Sequence, residues 1–435
     1  MPDLPPPLRQ LQAEFALSTG QLAAIAALFR REMAAGLEGR TSSLAMLPSY
    51  LTCPTGLEQG AYLALDFGGT NVRALLVELL GDGRYRVLGR RSAPLADPEG
   101  AYDFTAGAAR DLFGFLAAQL ADLAEGEGPY FLGHSFSFPC RQTGVNSASL
   151  IQWTKEIKTA GVEGQDLTAL LTAALQRRGL DHIRPVALLN DSVSTLIAAA
   201  YREPRTDIGS ICGTGHNTCY LEPAPPWGRQ PMYINIEAGN FAKVDGNSYD
   251  ALVDQASEKP GAARLEKMCS GRYIGELFRL VLQDLTGRGL LFAGAPASPE
   301  LFRPSDGADL ALILGDESPE LEQIALWLDD RGQAGRHSLD DRSALRSAAS
   351  LIAIRSARLV AATYAGVLQH LDPAVHRDHA IAVDGSLYEK MPGYARVIGL
   401  TLAELLGDRA GRVRVYLTKD GSGVGAAVAA ATVSR

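Results

Sequence analysis

Short apolar runs that end in glycine-containing turns recur along the chain. The run YLALD at 62–66 breaks at FGGTN, and a second apolar run follows at once over 72–80. The same order returns with an apolar run at 208–212, the turn Gly213-Thr-Gly215, and a further run at 217–222. Apolar runs bounded by glycine turns are typical of strands. The pattern therefore predicts two strand–turn–strand units.

Helical and strand periodicities alternate along the rest of the chain. Strands are predicted over 133–139, 185–189, 379–383 and 413–417, and helices over 21–36, 104–123, 167–176, 193–201, 265–285, 345–371 and 425–433. The segment 295–341 is polar and Asp-rich, so we expect a surface excursion with one short helix near 321–328. Strands mixed with helices predict an α/β architecture, in which ligands bind at the turns that follow strands.

Composition and charge narrow the class of protein. The 435 residues are 46% hydrophobic and carry a formal net charge of −8. At roughly 100–200 residues per domain, this length predicts two or three domains or one large split unit. Nucleic-acid binders concentrate Lys and Arg, so the acidity argues against a nucleic-acid partner. We see no apolar run of about 18 residues and no signal peptide at the start, so we expect a cytoplasmic protein without a membrane partner.

The five cysteines predict neither zinc nor disulfides. Their number is odd, they are scattered, and none forms a C-x-x-C pair. We expect reduced and mostly buried thiols.

The two glycine turns are candidates for anion binding. Glycines let backbone N–H groups approach a phosphate closely, and Thr70 and Asn71 add donors. Asp66, at the end of a predicted strand, can hold Mg²⁺ through water. Neither turn is a Walker A sequence or G-x-G-x-x-G. A ligand-free hairpin turn is the alternative for each one alone, but two turns of the same kind favour a phosphate site.

Two later turns are weaker signals. Asp384-Gly-Ser386 follows a predicted strand, and D-G-S is most often only a turn. The run Asp420-Gly-Ser-Gly-Val-Gly425 opens a helix of small residues. Such a helix N-terminus lets a flat or phosphorylated ligand come close.

Polar residues in the middle of the chain could supply the hydrogen-bonding groups of a sugar-binding site. Asp191 follows a buried predicted strand and can serve as a general base, or it can simply cap the next helix. Lys155 can neutralise phosphoryl charge or be an ordinary solvated lysine. Sugar hydroxyls need many fixed donors and acceptors. Further candidates for these contacts are Asn190, Asn217, Glu237 and Glu266.

Taken together, these motifs and their order along the chain resemble those of a known family. The chain resembles the hexokinase family, the eukaryotic-type hexokinases and glucokinases of the actin-like ATPase superfamily. The similar segments, in family order, are LALDFGGTNVRALLVEL (63–79), SFSFPCRQTGVNSASLIQWTK (135–155), VALLNDSVSTL (186–196), GTGHNTCYLE (213–222), INIEAGNF (234–241), GAARLEKMCSGRYIGELFRL (261–280), VDGSLYEKMPGY (383–394) and DGSGVGAA (420–427).

The resemblance implies roles for individual residues. Asp191 is the implied catalytic base for the 6-hydroxyl of the sugar, and Lys155 the implied second catalytic residue. The implied hexose-binding set is Ser137, Phe138, Thr154, Lys155, Asn190, Asp191, Asn217, Glu237 and Glu266. The implied nucleotide-binding set is Asp66, Gly68, Gly69, Thr70, Asn71, Arg73, Gly213, Thr214, Gly215, Asp384, Gly385, Ser386, Gly421, Ser422 and Gly423, with Asp66 near Mg²⁺.

The resemblance also implies the fold and the reaction. The expected fold is the two-lobed actin-like ATPase (ribonuclease H-like) α/β fold with a cleft between the lobes. The small lobe would span 60–191 plus 422–435, and the large lobe 1–59 plus 192–421. The expected reaction is ATP- and Mg²⁺-dependent phosphorylation of a hexose, chiefly D-glucose, at O6, as in glycolysis, by a monomer or homodimer. Ala263 departs from the glutamine usual at its position, which bears on sugar preference.

Three alternatives remain open at this stage. A catalytically inactive sugar sensor would keep the fold, although the catalytic residues here are intact. An actin- or chaperone-like ATPase would share the phosphate turns but has no need of the SFP…WTK…ND set. A repressor-type bacterial glucokinase would carry a Cys-rich zinc segment, which this chain lacks.

Overall fold

The computed structural model describes residues 6–97, 99–126, 128–153, 157–228, 230–292 and 296–434. The strands of this part are Leu47–Pro48 (β1), Gln59–Phe67 (β2), Asn71–Gly81 (β3), Arg84–Pro94 (β4), Tyr130–Phe136 (β5), Cys140–Gly144 (β6), Ser147–Leu150 (β7), Ile183–Leu189 (β8), Thr206–Cys212 (β9), His216–Glu222 (β10), Met232–Asn235 (β11), His379–Asp384 (β12) and Val413–Leu417 (β13). The α-helices are Pro6–Phe15 (α1), Thr19–Leu37 (α2), Ala109–Ala121 (α3), Leu167–Arg177 (α4), Asp191–Arg202 (α5), Ser248–Ala256 (α6), Arg264–Cys269 (α7), Gly271–Gly287 (α8), Gly307–Gly315 (α9), Glu322–Leu328 (α10), Leu339–Leu371 (α11), Ser386–Lys390 (α12), Tyr394–Leu406 (α13) and Gly421–Val433 (α14).

The first sheet has the strand order β4-β3-β2-β5-β8. β2 pairs antiparallel with β3 across the first glycine turn, and β2, β5 and β8 run parallel. Because side chains alternate between the faces of a strand, Leu63, Leu65 and Phe67 pack in one core with α3 and α4. Ala64 belongs to a separate core that includes α14. The sheet is therefore covered by helices on both faces.

The second sheet has the order β1-β11-β10-β9-β12-β13, in which β9, β12 and β13 run parallel. The carboxyl ends of β9 and β12 are neighbours, with Asp384 in register with Ile211. The turns after these two strands consequently lie at the same edge of the sheet. The long helix α11 crosses the core beside this sheet and packs against α2 and α13. By length and composition α11 could cross a membrane, but its apolar stretch is buried, as in the core helix of a globular protein.

Helices α5 and α14 pack against each other between the two sheets. α5 contacts β9 of the second sheet, and α14 contacts β2, β5 and β8 of the first. A Cβ atom at Gly425 would lie 1.8 Å from the carbonyl oxygen of Ser194, and one at Gly133 would lie 1.8 Å from that of Ala426. Only glycine fits at these two crossings, since no side chain can approach a backbone oxygen so closely.

Two of the differences between the predicted and the observed helix boundaries have tertiary causes. The helix expected over 104–123 starts at Ala109, because Ala108 is extended and the backbone of 105–109 exchanges hydrogen bonds with 158–160. The helix expected over 265–285 is divided at Ser270, whose backbone is extended. Residues after this break hydrogen-bond to the turn at 213–215. Neither interaction is visible in local periodicity.

For 295–341, the short helix expected near 321–328 is confirmed as α10, but the expected surface excursion was wrong, since the described part contributes to the core. It contains a 3₁₀ turn, Pro299–Phe302, and the two helices α9 and α10. Its aspartates serve as local caps: Asp306 caps α9, and Asp316 accepts hydrogen bonds from Ser318 and from the Ile324 backbone N–H. Its fully buried apolar residues are Leu301, Leu310, Ile313, Ile324 and Leu328.

Candidate active site

Two adjoining cavities meet at the edge where the glycine turns lie. The inner cavity, of about 400 Å³, contains every described member of the predicted hexose-binding set. Those members are Ser137, Phe138, Asn190, Asp191, Asn217, Glu237 and Glu266. Thr154 and Lys155 lie outside the described residues, so their predicted roles remain predictions.

The outer cavity, of about 480 Å³, contains most of the predicted nucleotide-binding set. Asp191 and Thr214 line both cavities, so the predicted base lies where the two cavities join. Gly215 lines the inner cavity alone, and Gly69, Gly421 and Gly423 line neither. The predicted residues that line the outer cavity are Asp66, Gly68, Thr70, Asn71, Arg73, Gly213, Thr214, Asp384, Gly385, Ser386 and Ser422.

Gly421 and Gly423 have a packing role in the structure. A Cβ atom at Gly421 would lie 3.1 Å from the Cα atom of Thr195 on α5, and one at Gly423 would lie 2.5 Å from a methyl group of Leu75. Between them, Ser422 donates a hydrogen bond to Asp66 at 2.7 Å. The small residues thus let α14 approach closely enough for Ser422 to reach Asp66, just before the first glycine turn.

The turn Gly213–Gly215 is fixed by the N-terminus of α8. The backbone N–H of Gly271 donates to the carbonyl of Gly213 at 2.8 Å, and that of Arg272 donates to the carbonyl of Thr214 at 3.1 Å. The first N–H groups of a helix have no partner within the helix, so they are free to hold this turn. The break at Ser270 is therefore what positions the second glycine turn, Gly213–Gly215.

Gly385 brings the turn after β12 against the same segment. Its φ of +126° is unfavourable for residues with side chains, and a Cβ atom there would lie 2.4 Å from the carbonyl oxygen of Cys212. The same atom would lie 2.8 Å from the backbone nitrogen of Gly213. The glycine of the Asp384-Gly-Ser386 motif is thus required by the close packing of two turns.

Asn190, rather than Asp191, caps helix α5. The side-chain oxygen of Asn190 accepts hydrogen bonds from the backbone N–H and the hydroxyl of Ser192, at 2.9 and 2.7 Å. Its amide nitrogen has no partner among the described residues and is available to a ligand in the inner cavity. Asp191 is the first residue of α5 and accepts from the Ser192 N–H at 2.8 Å. The carboxylate is therefore held at the cavity junction by backbone.

Asn235 links the acceptors of the inner cavity, and sequence reasoning missed it. Its side-chain oxygen accepts from Asn217 at 2.9 Å, and its amide nitrogen donates to Glu237 at 2.8 Å. Asn217 in turn donates to Asn190 and accepts from the Ala238 N–H. Asn235 is buried, and only its position two residues before Glu237 in a strand hinted at this role.

Asp66 and Asp384, two of the carboxylates of the outer cavity, are destabilised as anions. Burial is the main cause that raises the pKa of Asp66, and the charge of Asp191 adds to it. Burial also raises the pKa of Asp384 to about 6, with contributions from the charges of Asp66 and Asp191. Any cation bound here would relieve this repulsion.

The charge of the outer cavity fits a hydrated divalent cation. Five carboxylates line it, Asp66, Asp191, Asp384, Glu389 and Asp420, against three cationic side chains, Arg73, Lys390 and Lys419. Such a lining repels a polyphosphate unless a cation accompanies it. Across the described residues, no three His, Cys, Asp or Glu side chains are placed to hold a metal by themselves. Mg²⁺ suits this arrangement because it keeps several waters and binds through phosphates and one or two carboxylates.

Replacing Asp384 by asparagine is expected to raise thermal stability at pH 7.5 by about 2–4 °C, the shift for about 1 kcal/mol in a large domain. In the unfolded chain an aspartate titrates near 3.9, whereas in the fold the pKa of Asp384 is about 6. The folded state thus binds the proton of Asp384 more tightly than the unfolded state does. The resulting stabilisation of the fold is fully present below about pH 4 and is lost as pH rises through about 6. Melting curves of the variant and the parent protein at pH 4.5, 6.0 and 7.5 measure the difference in thermal stability.

The difference between Asp384→Asn and the parent protein should disappear toward pH 4.5. Asp245→Asn provides the control, because Asp245 is exposed and forms no hydrogen bond or ion pair with described residues. A stability difference that stays constant across the three pH values would contradict the raised pKa.

Several lining residues were not predicted. They lie in loops or near helix ends, and although several fall within the segments that resemble the hexokinase family, their signal is only that they adjoin predicted residues. In the inner cavity they include Gln152, Asn240, Glu258, Lys259, Lys267, Arg272 and Tyr273, and in the outer cavity Glu389, Lys390, Lys419 and Asp420.

Comparison with known proteins places the chain in one family. Two family models, both described as hexokinase, match residues 7–201 and 207–432. Hexokinase-7 of Oryza sativa subsp. japonica is 37% identical over 98% of this chain and 96% of its own length. Hexokinase-3 of Homo sapiens is 35% identical over 98% of this chain, and the chain spans about half of that protein, 47%.

A solved structure gives the same result. The hexokinase of Schistosoma mansoni, solved in complex with glucose, is 31% identical and superimposes with a TM-score of 0.86 over 98% of both chains. The predicted α/β fold, the two-lobed actin-like ATPase fold, is thereby confirmed. Since the two models cover both halves of the chain and the relatives match it nearly end to end, the chain belongs to the hexokinase family of enzymes.

Proposed function

We propose that this hexokinase transfers the γ-phosphoryl group of ATP to O6 of D-glucose and of related hexoses. One observation carries the proposal: Asp191 is part of the wall of both cavities. A hydroxyl of a sugar in the inner cavity and a phosphoryl group in the outer cavity would meet at this carboxylate. The glucose bound by the Schistosoma mansoni relative supports the choice of sugar.

The inner cavity offers the donors and acceptors that a hexose needs. Glu237 and Glu266 can accept hydrogen bonds from sugar hydroxyls, and the amide nitrogen of Asn190 can donate one. Phe138 supplies an apolar surface and packs edge-on against Trp153, with ring centroids 5.0 Å apart. Fixed polar groups on a partly apolar wall are the usual composition of a small-molecule site.

Asp191 would act as the general base. It accepts the proton of the 6-hydroxyl as the O6–P bond forms and the bond from phosphorus to the ADP oxygen breaks. The N–H groups of the two glycine turns and the side chain of Arg73 would orient the phosphates. Asp66 and Asp384 would hold Mg²⁺ through its waters, and the ion would supply charge neutralisation for the phosphates. Lys155 is proposed to stabilise the transferring phosphoryl group.

The division into lobes is part of the proposal. The small lobe would comprise 60–191 with 422–435, and the large lobe 1–59 with 192–421. The separate cores of the two sheets support this division, as does α14, which packs on the first sheet from the end of the chain. Closure of the cleft between the lobes would exclude water from the phosphoryl group.

We also propose a cytoplasmic enzyme, monomeric or homodimeric, that acts on small molecules without a nucleic-acid or membrane partner.

Substitution Asn235→Ala is expected to weaken glucose binding by about tenfold, since it removes the buried hydrogen bonds that hold Asn217 and Glu237 in position. Turnover at saturating glucose should fall much less, because Asp191 is untouched. Titration of the intrinsic Trp fluorescence gives the dissociation constant, and steady-state kinetics gives kcat. Asn146→Ala, in an exposed turn, is the control. Glucose affinity equal to that of the control would show that Asn235 does not position the acceptors.

A coupled assay with ATP, Mg²⁺ and a panel of glucose, fructose and mannose tests the proposed function. We expect ADP release that depends on sugar, with glucose among the preferred substrates. A catalytically inactive sugar sensor would bind glucose, seen by Trp fluorescence, without releasing ADP. That result would overturn the proposed reaction while keeping the proposed binding site.

A further inference from the structure

A third cavity of about 390 Å³ lies away from the cleft and shares no lining residue with the other two. It is lined by α9, α11, Pro392 and the start of α13, and it is open to solvent on one side. Its wall is mainly apolar, with Leu314, Ile354 and Val397 among the lining side chains. A mostly apolar cavity of this size with a few polar groups is typical of small-molecule sites.

Apart from Tyr394, the polar lining residues of this cavity lie on α11, where the hydroxyl of Ser347 already donates to the carbonyl of Ser343 at 2.8 Å. Arg346 and Ser350 both line it from α11. Neither side chain has a hydrogen bond or ion pair among the described residues, and Arg346 is the charged member of the described lining. A guanidinium presents donors in a planar fork that matches a carboxylate. The cavity thus combines apolar walls with an uncompensated positive charge.

A chain of hydrogen bonds connects this cavity to the active site. Tyr394 is part of the cavity wall, and its hydroxyl lies 2.7 Å from Ser356 Oγ. Ser356 Oγ donates to the carbonyl of Cys269 at 2.6 Å, so the Tyr394 hydroxyl is the donor to Ser356. Burial raises the pKa of Tyr394 well above its usual value, so this hydroxyl stays protonated at neutral pH.

These hydrogen bonds end at the carbonyl of Cys269, which lies between two parts of the active site. Cys269 is the last residue of α7, which carries Glu266 of the inner cavity. Two residues later, Gly271 holds the phosphate turn through the carbonyl of Gly213. A shift of Tyr394 is therefore transmitted to a carbonyl that lies between the sugar-side carboxylate and the phosphate turn.

We propose that the third cavity is an effector site for a small molecule with a hydrocarbon body and one carboxylate group, and that its occupancy changes glucose affinity through Tyr394 and Ser356. The carboxylate would bind Arg346 and Ser350, and the hydrocarbon would contact Leu314, Ile354 and Val397. The effect on glucose rests on the proposed function, whereas binding of the acid does not.

Calorimetry with 4-phenylbutyrate, in the absence of sugar, tests the site itself. We expect saturable binding to the whole protein, at least about tenfold weaker for the uncharged 4-phenylbutanol and for the Arg346→Gln variant, which loses a charge-assisted hydrogen bond. Val397→Trp should block binding by filling the cavity, with folding checked by circular dichroism. No saturable binding at 10 mM acid, or binding unchanged in both variants, would overturn the proposal.

Glucose titrations with and without saturating 4-phenylbutyrate test the coupling. We expect the glucose dissociation constant to change by about fivefold, with glucose changing the affinity for the acid by the same factor. In Tyr394→Phe, which loses only the hydroxyl, the acid should still bind. The glucose dissociation constant should then be nearly the same with and without the acid. Binding of the acid with no change in glucose affinity would overturn the effector role, and loss of glucose binding without the acid would instead count against the proposed function.

Discussion

Replacement of Asp191 by asparagine is expected to lower kcat for glucose phosphorylation by about 10²–10⁴-fold, the range for loss of a general base. Asparagine has the same shape and can still accept the hydrogen bond from the Ser192 N–H, which lies 2.8 Å from Asp191. Glucose affinity should therefore remain within about threefold, since the other polar groups of the inner cavity are unchanged. Steady-state kinetics and Trp fluorescence titration measure the two quantities separately.

The same variant has a second readout. The charge of Asp191 is one cause of the raised pKa of Asp384, so its removal should bring the pKa of Asp384 down. Asp245→Asn serves again as the control and should leave both quantities unaltered. Turnover within about fivefold of the parent enzyme would show that Asp191 is not the base.

Substitution Gly425→Ala is expected to destabilise the protein by about 3 kcal/mol or more, at or above the upper end of ordinary overpacking costs. The new methyl group would lie 1.8 Å from the carbonyl oxygen of Ser194, and backbone cannot yield as a side chain can. Helix α14 must then move away from α5. Because α14 carries Ser422, the hydrogen bond to Asp66 should be lost, and ATP affinity should fall with stability.

Gly399→Ala is the matched control for this substitution. Gly399 lies within α13, and a Cβ atom there would meet no atom within 4 Å. Alanine should stabilise this helix by about 0.5–1 kcal/mol, since glycine costs that much in a helix interior. Scanning calorimetry of the two variants measures both effects. A melting temperature for Gly425→Ala equal to that of the parent would show that α5 and α14 are further apart than described.

The sequence predicts the elements around the first phosphate turn well, because strong apolar runs end at glycines there. It misses β4, Arg84–Pro94, whose side chains are mostly exposed and polar. It also misses the break at Ser270, because the cause is a hydrogen bond from Gly271 to Gly213, far away in the chain. Local pattern thus identifies elements that pack by their own apolar face, but not boundaries set by distant backbone partners.

The candidate active site shows the same difference between what local motifs predict and what distant contacts determine. The motif residues of the hexose set that are described converge on one cavity, as expected of residues at strand ends. Asn235 escaped notice because its function lies in its contacts with Asn217 and Glu237, which only the fold reveals. Gly421 and Gly423 pack closely against Thr195 and Leu75, so a glycine run can mark close helix packing as well as a ligand. Sequence alone does not separate the two.

The position of the phosphate on the product tests the central claim most directly. Glucose, ATP and Mg²⁺ are incubated with the enzyme, and ³¹P–¹H correlation spectroscopy identifies the protons coupled to the new phosphomonoester. Coupling to the two H6 protons, absent with Asp191→Asn, is the predicted result. A phosphate coupled to H1, or no sugar phosphate although glucose binds, would contradict transfer to O6 at the junction of the two cavities.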